Sequence, residues 1–144
     1  MTDRRISSFL SRHHVLTLAT ADACGGVWCS QAFYAWDDEH DRFVFASDSL
    51  TRHGANMLAD NRVAVSVALE TRIVGKIQGC QITGRAVRGD DGARRRYIRR
   101  FPYAAAVDTE IWTVEADYVK FTDNTLGFGK KLVWQRDTDS NTAL

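Results

Sequence analysis

Ile6, Phe9, Leu10 and His13 stand at i, i+3, i+4 and i+7, so the start of the chain predicts a short helix with one apolar stripe. Such a helix suits the end of a barrel better than its wall. From Val15 the pattern changes: Val15 to Ala21 is a β-favouring run, Asp22 to Gly26 supplies turn residues, and Val27 to Trp36 reads as the return strand of a hairpin. Large residues on both faces of that second strand predict cover on both sides. After the charged loop Asp37 to Asp41, Arg42 to Ala46 predicts a third strand. Ser47, Ser49 and Thr51 then offer side-chain oxygens to cap a helix from Arg52 to Ala59.

Arg62 to Leu69 alternates Val63, Val65, Val67 and Leu69 against Ala64, Ser66 and Ala68, a period of two whose small face leaves room for a ligand or another strand. Lys76 to Arg88 predicts the next strand, with Gly79 and Gly84 marking bulges or close backbone approaches. Asp90 and Asp91 are N-cap candidates for a third helix that ends near Phe101, since Pro102 disfavours helical geometry at the residue before it. Ile111 to Thr122 and Leu132 to Arg136 complete the set, and residues 137–144 form a polar tail expected to fray. Six or seven strands and three short helices predict a mainly β, closed antiparallel barrel in a single domain over residues 1–136.

Charge narrows the partners. Nineteen Lys and Arg against 18 Asp and Glu leave +1, so no long-range field gathers nucleic acid or an anionic membrane, and any anion site must be local. Arg94, Arg95, Arg96, Arg99 and Arg100 crowd the third helix, but no aromatic platform for base stacking interleaves them, and Asp90, Asp91 and Asp108 stand ready to pair with them. No apolar run approaches the roughly 20 residues of a membrane span, and the N-terminus lacks the pattern of a secretory signal, so the expectation is a cytoplasmic protein. Cys24, Cys29 and Cys80 form an odd set without C-x-x-C spacing, expected to be reduced packing residues, and the histidine spacings predict no metal site.

Phe43 to Val63 then presents a strand ending in Ser47, the run Thr51-Arg52-His53, a helix, and Asp60-Asn61-Arg62-Val63 opening the next strand. This stretch resembles the pyridoxamine 5'-phosphate oxidase-like, FMN-binding split barrels. The resemblance implies that Ser47, Thr51, Arg52 and His53 hold the phosphate of FMN, which suits the chemistry of hydroxyls and a cation at a helix N-terminus. A match through nearly the whole chain, notably Ile77-Gln78-Gly79, Arg99-Arg100-Phe101-Pro102 and Lys120 to Lys131, resembles the uncharacterised YhbP-like bacterial family. It implies a split barrel and a homodimer with the flavin between subunits, without implying a reaction.

The same resemblance places Gln31, Ala32 and Phe33 against the cofactor. Gln31 and Trp36 stand where the oxidases carry Arg and Lys, and His53 where they carry Lys. Gly79 falls where they place a Gln beside the flavin, and either Gln78 or Gln81 is near enough in sequence to replace it. Gly127-Phe128-Gly129-Lys130-Lys131 is no Walker motif, because Leu132 follows; it is either a tight turn or a loop bringing Lys130 and Lys131 over a flavin held by the partner. Trp134 is the tryptophan assigned to stacking. The reading is an FMN-dependent oxidoreductase for an unknown small molecule, with pyridoxamine 5'-phosphate oxidation itself not expected. The alternative is a non-catalytic dimer that binds haem or another nucleotide.

Overall fold

A computed structural model of the chain describes residues 1–137. Its elements run α1 (Arg4–Arg12), β1 (Val15–Ala21), β2 (Val27–Asp37), β3 (Arg42–Ala46), α2 (Arg52–Ala59), β4 (Arg62–Ala68), β5 (Gln78–Arg88), α3 (Asp91–Arg100), β6 (Ile111–Asp123) and β7 (Lys131–Gln135). All strand pairs are antiparallel, in the order β3-β2-β1-β4-β5-β6-β7. An additional β3–β6 pairing closes the first six into a barrel. β6 divides its free side: Ile111 to Glu115 pair with β3, and Tyr118 to Thr122 pair with β7. The wall therefore splits between the start of β3, at Arg42, and the end of β7, at Gln135.

Strand alternation fills the interior with Leu16, Leu18, Tyr34, Phe43, Phe45, Val65 and their neighbours, and helices close the ends. The apolar stripe of α1 buries Ile6, Phe9 and Leu10 completely. Phe9 packs on Phe121 with ring centroids 5.1 Å apart, and the Tyr34 hydroxyl donates to the Leu10 carbonyl at 2.6 Å. At the other end Met57 of α2 enters the core, while the Asn56 amide donates to the Thr20 hydroxyl at 3.0 Å. α3 lies outside, packing Ala93 and Tyr97 over Val44 and Ile111.

The Gly84 expectation is met by a register shift between Thr83 and Gly84, where β5 crosses Asp117. Gly79 keeps regular pairing with Ala68 and Thr122, with a Cβ there falling close to the Val67 carbonyl. The fifth strand starts at Gln78 instead of Lys76, because Val74–Lys76 turn as a 3-10 helix.

Three expectations are corrected. The second strand is not covered on both faces: only its end, from Tyr34 to Asp37, is buried, because α3 reaches no further along it. Cys80 alone is a buried cysteine; Cys24 lies exposed in the hairpin turn and Cys29 on the open part of β2. The ion pairs of the third helix come from the β2–β3 loop, where Arg96 meets Asp37, Asp38 and Glu39, while Asp90 caps the helix and pairs with Arg42. The tail expected to fray lies, beyond Asp137, outside the described residues.

Among the described residues no helix is long and apolar enough to cross a membrane. Gly84→Ala would drive a Cβ into the Glu115 carbonyl, whereas Gly75 has nothing within 4 Å of the same position. Urea denaturation should show a loss of about 2 to 3 kcal/mol for Gly84→Ala and a change within about 0.5 kcal/mol for Gly75→Ala.

Candidate functional site

Where β3 ends, the chain turns sharply into α2. The Ser47 amide donates to the Glu110 carbonyl at 3.0 Å, and the Asp48 carbonyl accepts both the Thr51 amide at 3.1 Å and its hydroxyl at 2.6 Å. Thr51 Oγ1 in turn accepts the Gly54 amide at 3.1 Å, a helix N-cap. Gly54 is required there, since a Cβ would meet the Asp48 carbonyl. The cap leaves the amides of Arg52 and His53 without an acceptor among the described residues, the orphan donors of a helix start. Two N–H groups and the positive end of the helix therefore face outward together.

The side chains around them are arranged for an anion. Arg52 lays its guanidinium carbon 4.2 Å from the Trp28 ring centroid, a cation–π contact, and among the described residues no carboxylate lies within salt-bridge distance of it. Ser47 Oγ lies 2.6 Å from His53 Nε2. Burial lowers the His53 pKa and favours the neutral imidazole, which shares one hydrogen bond with the serine hydroxyl. Approach of a phosphate would favour the imidazolium, freeing the serine hydroxyl and adding a second cation.

A second feature lies on the outer face of the sheet. Gln31 pairs with Thr17, Thr17 with Ser66, Ser66 with Gln81, and Gln81 with Lys120. These five residues form one polar row across β2, β1, β4, β5 and β6, and no hydrogen bond engages their side chains among the described residues. Beside it runs a row of smaller residues, Cys29, Ala19, Ala64 and Thr83, ending at Tyr118. Between them lies an open groove of about 380 Å³.

The expected site residues separate into groups. Ser47, Thr51, Arg52 and His53 come together at the start of α2. Gln31 and Gln81 share the polar row, and Gln81 lines the groove, whereas the Gln78 amide donates to Asp123 Oδ2 at 3.2 Å at the far end of the barrel. Ala32 faces the interior against the core, and Phe33 points out, packed on Phe101 at 5.8 Å. Lys130 and Lys131 lie at that far end too, with Lys131 opposite Thr122, and within one subunit they do not join the α2 cluster. Trp134 turns inward and packs against the core, with the Arg136 guanidinium 5.7 Å from its ring.

Thr17, Ser66, Lys120 and Trp28 were missed. The small face of β4 was the signal for Ser66. The others carry none without the strand register. Asp37, Glu39 and His40 place ligand-type atoms within 4.8 Å of one another. The Asp37 carboxylate already takes Arg42 Nε at 2.8 Å and faces Arg96 at 3.4 Å, so a metal cation there would compete with two guanidinium groups. Trp36 stands buried in the core with its indole N–H on Ser7 Oγ at 3.0 Å, and it supplies no cation to a phosphate.

Comparison with known proteins places the fold. The family model for pyridoxamine 5'-phosphate oxidase matches residues 2–125. A UPF0306 protein of Photorhabdus laumondii is 44% identical over 135 residues, covering 91% of this chain and 94% of its own. UPF0306 protein YhbP of Salmonella arizonae is 40% identical over 142 residues, covering 96% of each. Among solved structures, a heme binding protein from Mycobacterium smegmatis superposes with a TM-score of 0.71 at 19% identity, over 91% of this chain and 55% of that one. A FAD-binding protein from Mesorhizobium loti gives 0.66 at 16% identity, over 82% of this chain and 92% of that one. At these identities the structural likeness speaks for the fold alone. The chain belongs to the UPF0306 (YhbP) family, within the pyridoxamine 5'-phosphate oxidase-like superfamily of split barrels.

Proposed function

We propose that this protein is a homodimeric FMN-binding oxidoreductase acting on a small organic molecule. The observation that carries the reading is the start of α2, which holds together two amides without an acceptor among the described residues, the Arg52 guanidinium and the Ser47–His53 pair. Helix-terminal N–H groups with a cation are suited to a phosphate monoester, the charged end of FMN. The nearby outer groove, with small apolar side chains and an unpaired polar row, fits a planar ring whose edges carry donors and acceptors. Bound there, FMN would supply the electron transfer, and the protein would fix its pose and tune its surroundings.

A second subunit belongs to this reading. Val27 is 80% and Phe33 56% exposed on the same face as the groove, an apolar surface better covered than left in water. A two-fold partner would also bring its Lys130 and Lys131, and the part of Trp134 that its inward packing leaves open, toward this site. Cytoplasmic placement goes with the reading, since Cys24 and Cys29 stand exposed as free thiols.

The heme binding protein among the structural neighbours raises haem as the second reading. The groove gives it less support: among the described residues no histidine lines it, and an axial ligand would have to come from Cys29 or Tyr118. Oxidation of pyridoxamine 5'-phosphate itself is disfavoured by Gln31 and Trp36, which remove two cations from the oxidase pattern.

The purified protein should be yellow, release FMN on denaturation, or take FMN up in titration with a flavin spectrum. Colourless protein with no FMN uptake would sink the reading, and a Soret band would move it to haem. Arg52→Ala should weaken FMN binding by about 1.5 to 3 kcal/mol, the range of a charge-assisted hydrogen bond, and unchanged affinity removes Arg52 from the site. Sedimentation should give a dimer, and a stable monomer would detach Lys130 and Trp134 from the flavin.

His53 supplies a test without ligand. Its folded pKa lies below the ordinary 6.5, so the unfolded chain takes the proton first. Its contribution to stability is present above pH 6.5 and is lost as pH falls through the folded pKa. Urea midpoints of wild type and His53→Gln between pH 8 and 5 should therefore diverge, with the wild type losing more stability on acidification.

A further inference from the structure

We propose that the cleft between the C-terminal ends of α1 and α3 binds a small oxyanion of the phosphate class, at a place separate from the α2 cluster. Ser11 of α1, Ala35 and Trp36 of β2, and Arg96, Arg99 and Arg100 of α3 line a concave space of about 250 Å³. Typical organic-ligand pockets run from roughly 300 to 1,000 Å³, so this cleft suits an anion or a very small molecule bearing one.

The three arginines differ in how their charge is met. Arg96 has Asp37, Asp38 and Glu39 within 3.4 to 3.7 Å. Arg99 and Arg100 have no carboxylate within 4.0 Å among the described residues. Arg100 nevertheless lies half-buried, its Nη2 donating to the His13 carbonyl at 2.7 Å and its guanidinium carbon 5.8 Å from the Tyr34 and Phe101 ring centroids. Burial lowers its pKa, the mark of a cation held away from water without an anion to compensate it.

The neighbouring carboxylates are already committed. Asp37 answers Arg42, His40 and Arg96, and Asp90 answers Arg42. The helix ends oppose an anion, but each C-terminus carries roughly half a negative charge, which two full guanidinium charges exceed. Asp38 and Glu39 sit with Arg96, and what remains at Arg99 and Arg100 is a pair of guanidinium forks without a carboxylate among the described residues, whose planar donors match the paired oxygens of a phosphate. Ser11 adds a hydroxyl at the rim. Occupied, the cleft would tie α1, which closes one end of the barrel, to α3 on its outer wall.

Isothermal titration with inorganic phosphate, against sodium chloride at matched ionic strength, tests this. The expected result is saturable binding of one phosphate per chain at this cleft, retained in Arg52→Ala and His53→Gln, and weakened by at least about tenfold in Arg99→Gln. Arg100→Gln should weaken it likewise, and Arg99→Gln decides the matter if Arg100→Gln fails to fold by circular dichroism. Partial recovery in Arg99→Lys is expected, because the charge returns without the fork. Glycerol phosphate in place of phosphate separates the sources: tighter binding assigns a phosphorylated small molecule, equal binding assigns the free anion, and both support the cleft. No saturable heat in the wild type, or unchanged binding in a folded Arg99→Gln, would overturn the proposal. Binding lost in Arg52→Ala but kept in Arg99→Gln would also overturn it, while supporting the α2 phosphate site.

Discussion

The change of partner along β6 is the constraint on which the rest depends. Its first half must pair with β3 to close the barrel, and its second half with β7. Backbone N–H and C=O groups cannot be left unpaired inside a wall, so β3 runs from Arg42, beside the seam, to Ala46 opposite Ile111 at the start of β6, and there the chain must turn. That turn is the Ser47 to Thr51 corner, tied to the start of β6 by Ser47 on the Glu110 carbonyl and by Ser49 on the Glu110 carboxylate. The orphan amides of α2 are thus aimed by the closure of the barrel, and the corner is held by hydrogen bonds within the chain.

Local signals in the sequence were the ones most legible. A cap such as Thr51 on Gly54 involves residues three apart, so the limits of α2 could be read from composition alone. The apolar stripe of α1 and the alternation of β4 were readable for the same reason. Faces that depend on register were not. Gln78 and Gln81 stand three apart on one strand, and only the pairing of Ser66 with Gln81 shows which one faces the groove. Trp134 pointed inward because Val119 pairs with it, a fact no window of sequence around Trp134 contains. The exposure of Cys29 followed from how far α3 reaches along β2, again a tertiary matter.

Electrostatics divides the molecule in two. At the β2–β3 loop, burial forces near-complete matching: Asp37 is 2% exposed and Arg42 7%, and the pair is bonded at 2.8 Å. Burial favours the neutral acid there, but hydrogen bonds from Arg42 and His40, with the nearby Arg96 charge, outweigh it and keep Asp37 below the usual carboxylate range. Elsewhere cations stand without such partners, at Arg52 on one side of the barrel and at Arg99 and Arg100 on the other. With a formal charge of only +1 over the whole chain, these are local concentrations and not a general basic surface.

The stacking of Arg52 on Trp28 has an optical consequence. An indole in contact with a guanidinium emits differently from one in contact with water; Trp28 carries this contact with Arg52, while Trp112 has its own with Arg88 at 4.6 Å and Trp134 a looser one with Arg136. A phosphate that draws Arg52 toward itself must lift the cation off the ring. Occupancy of the corner is therefore written into the emission of a native residue, and the fluorescence of the unlabelled protein becomes its own indicator.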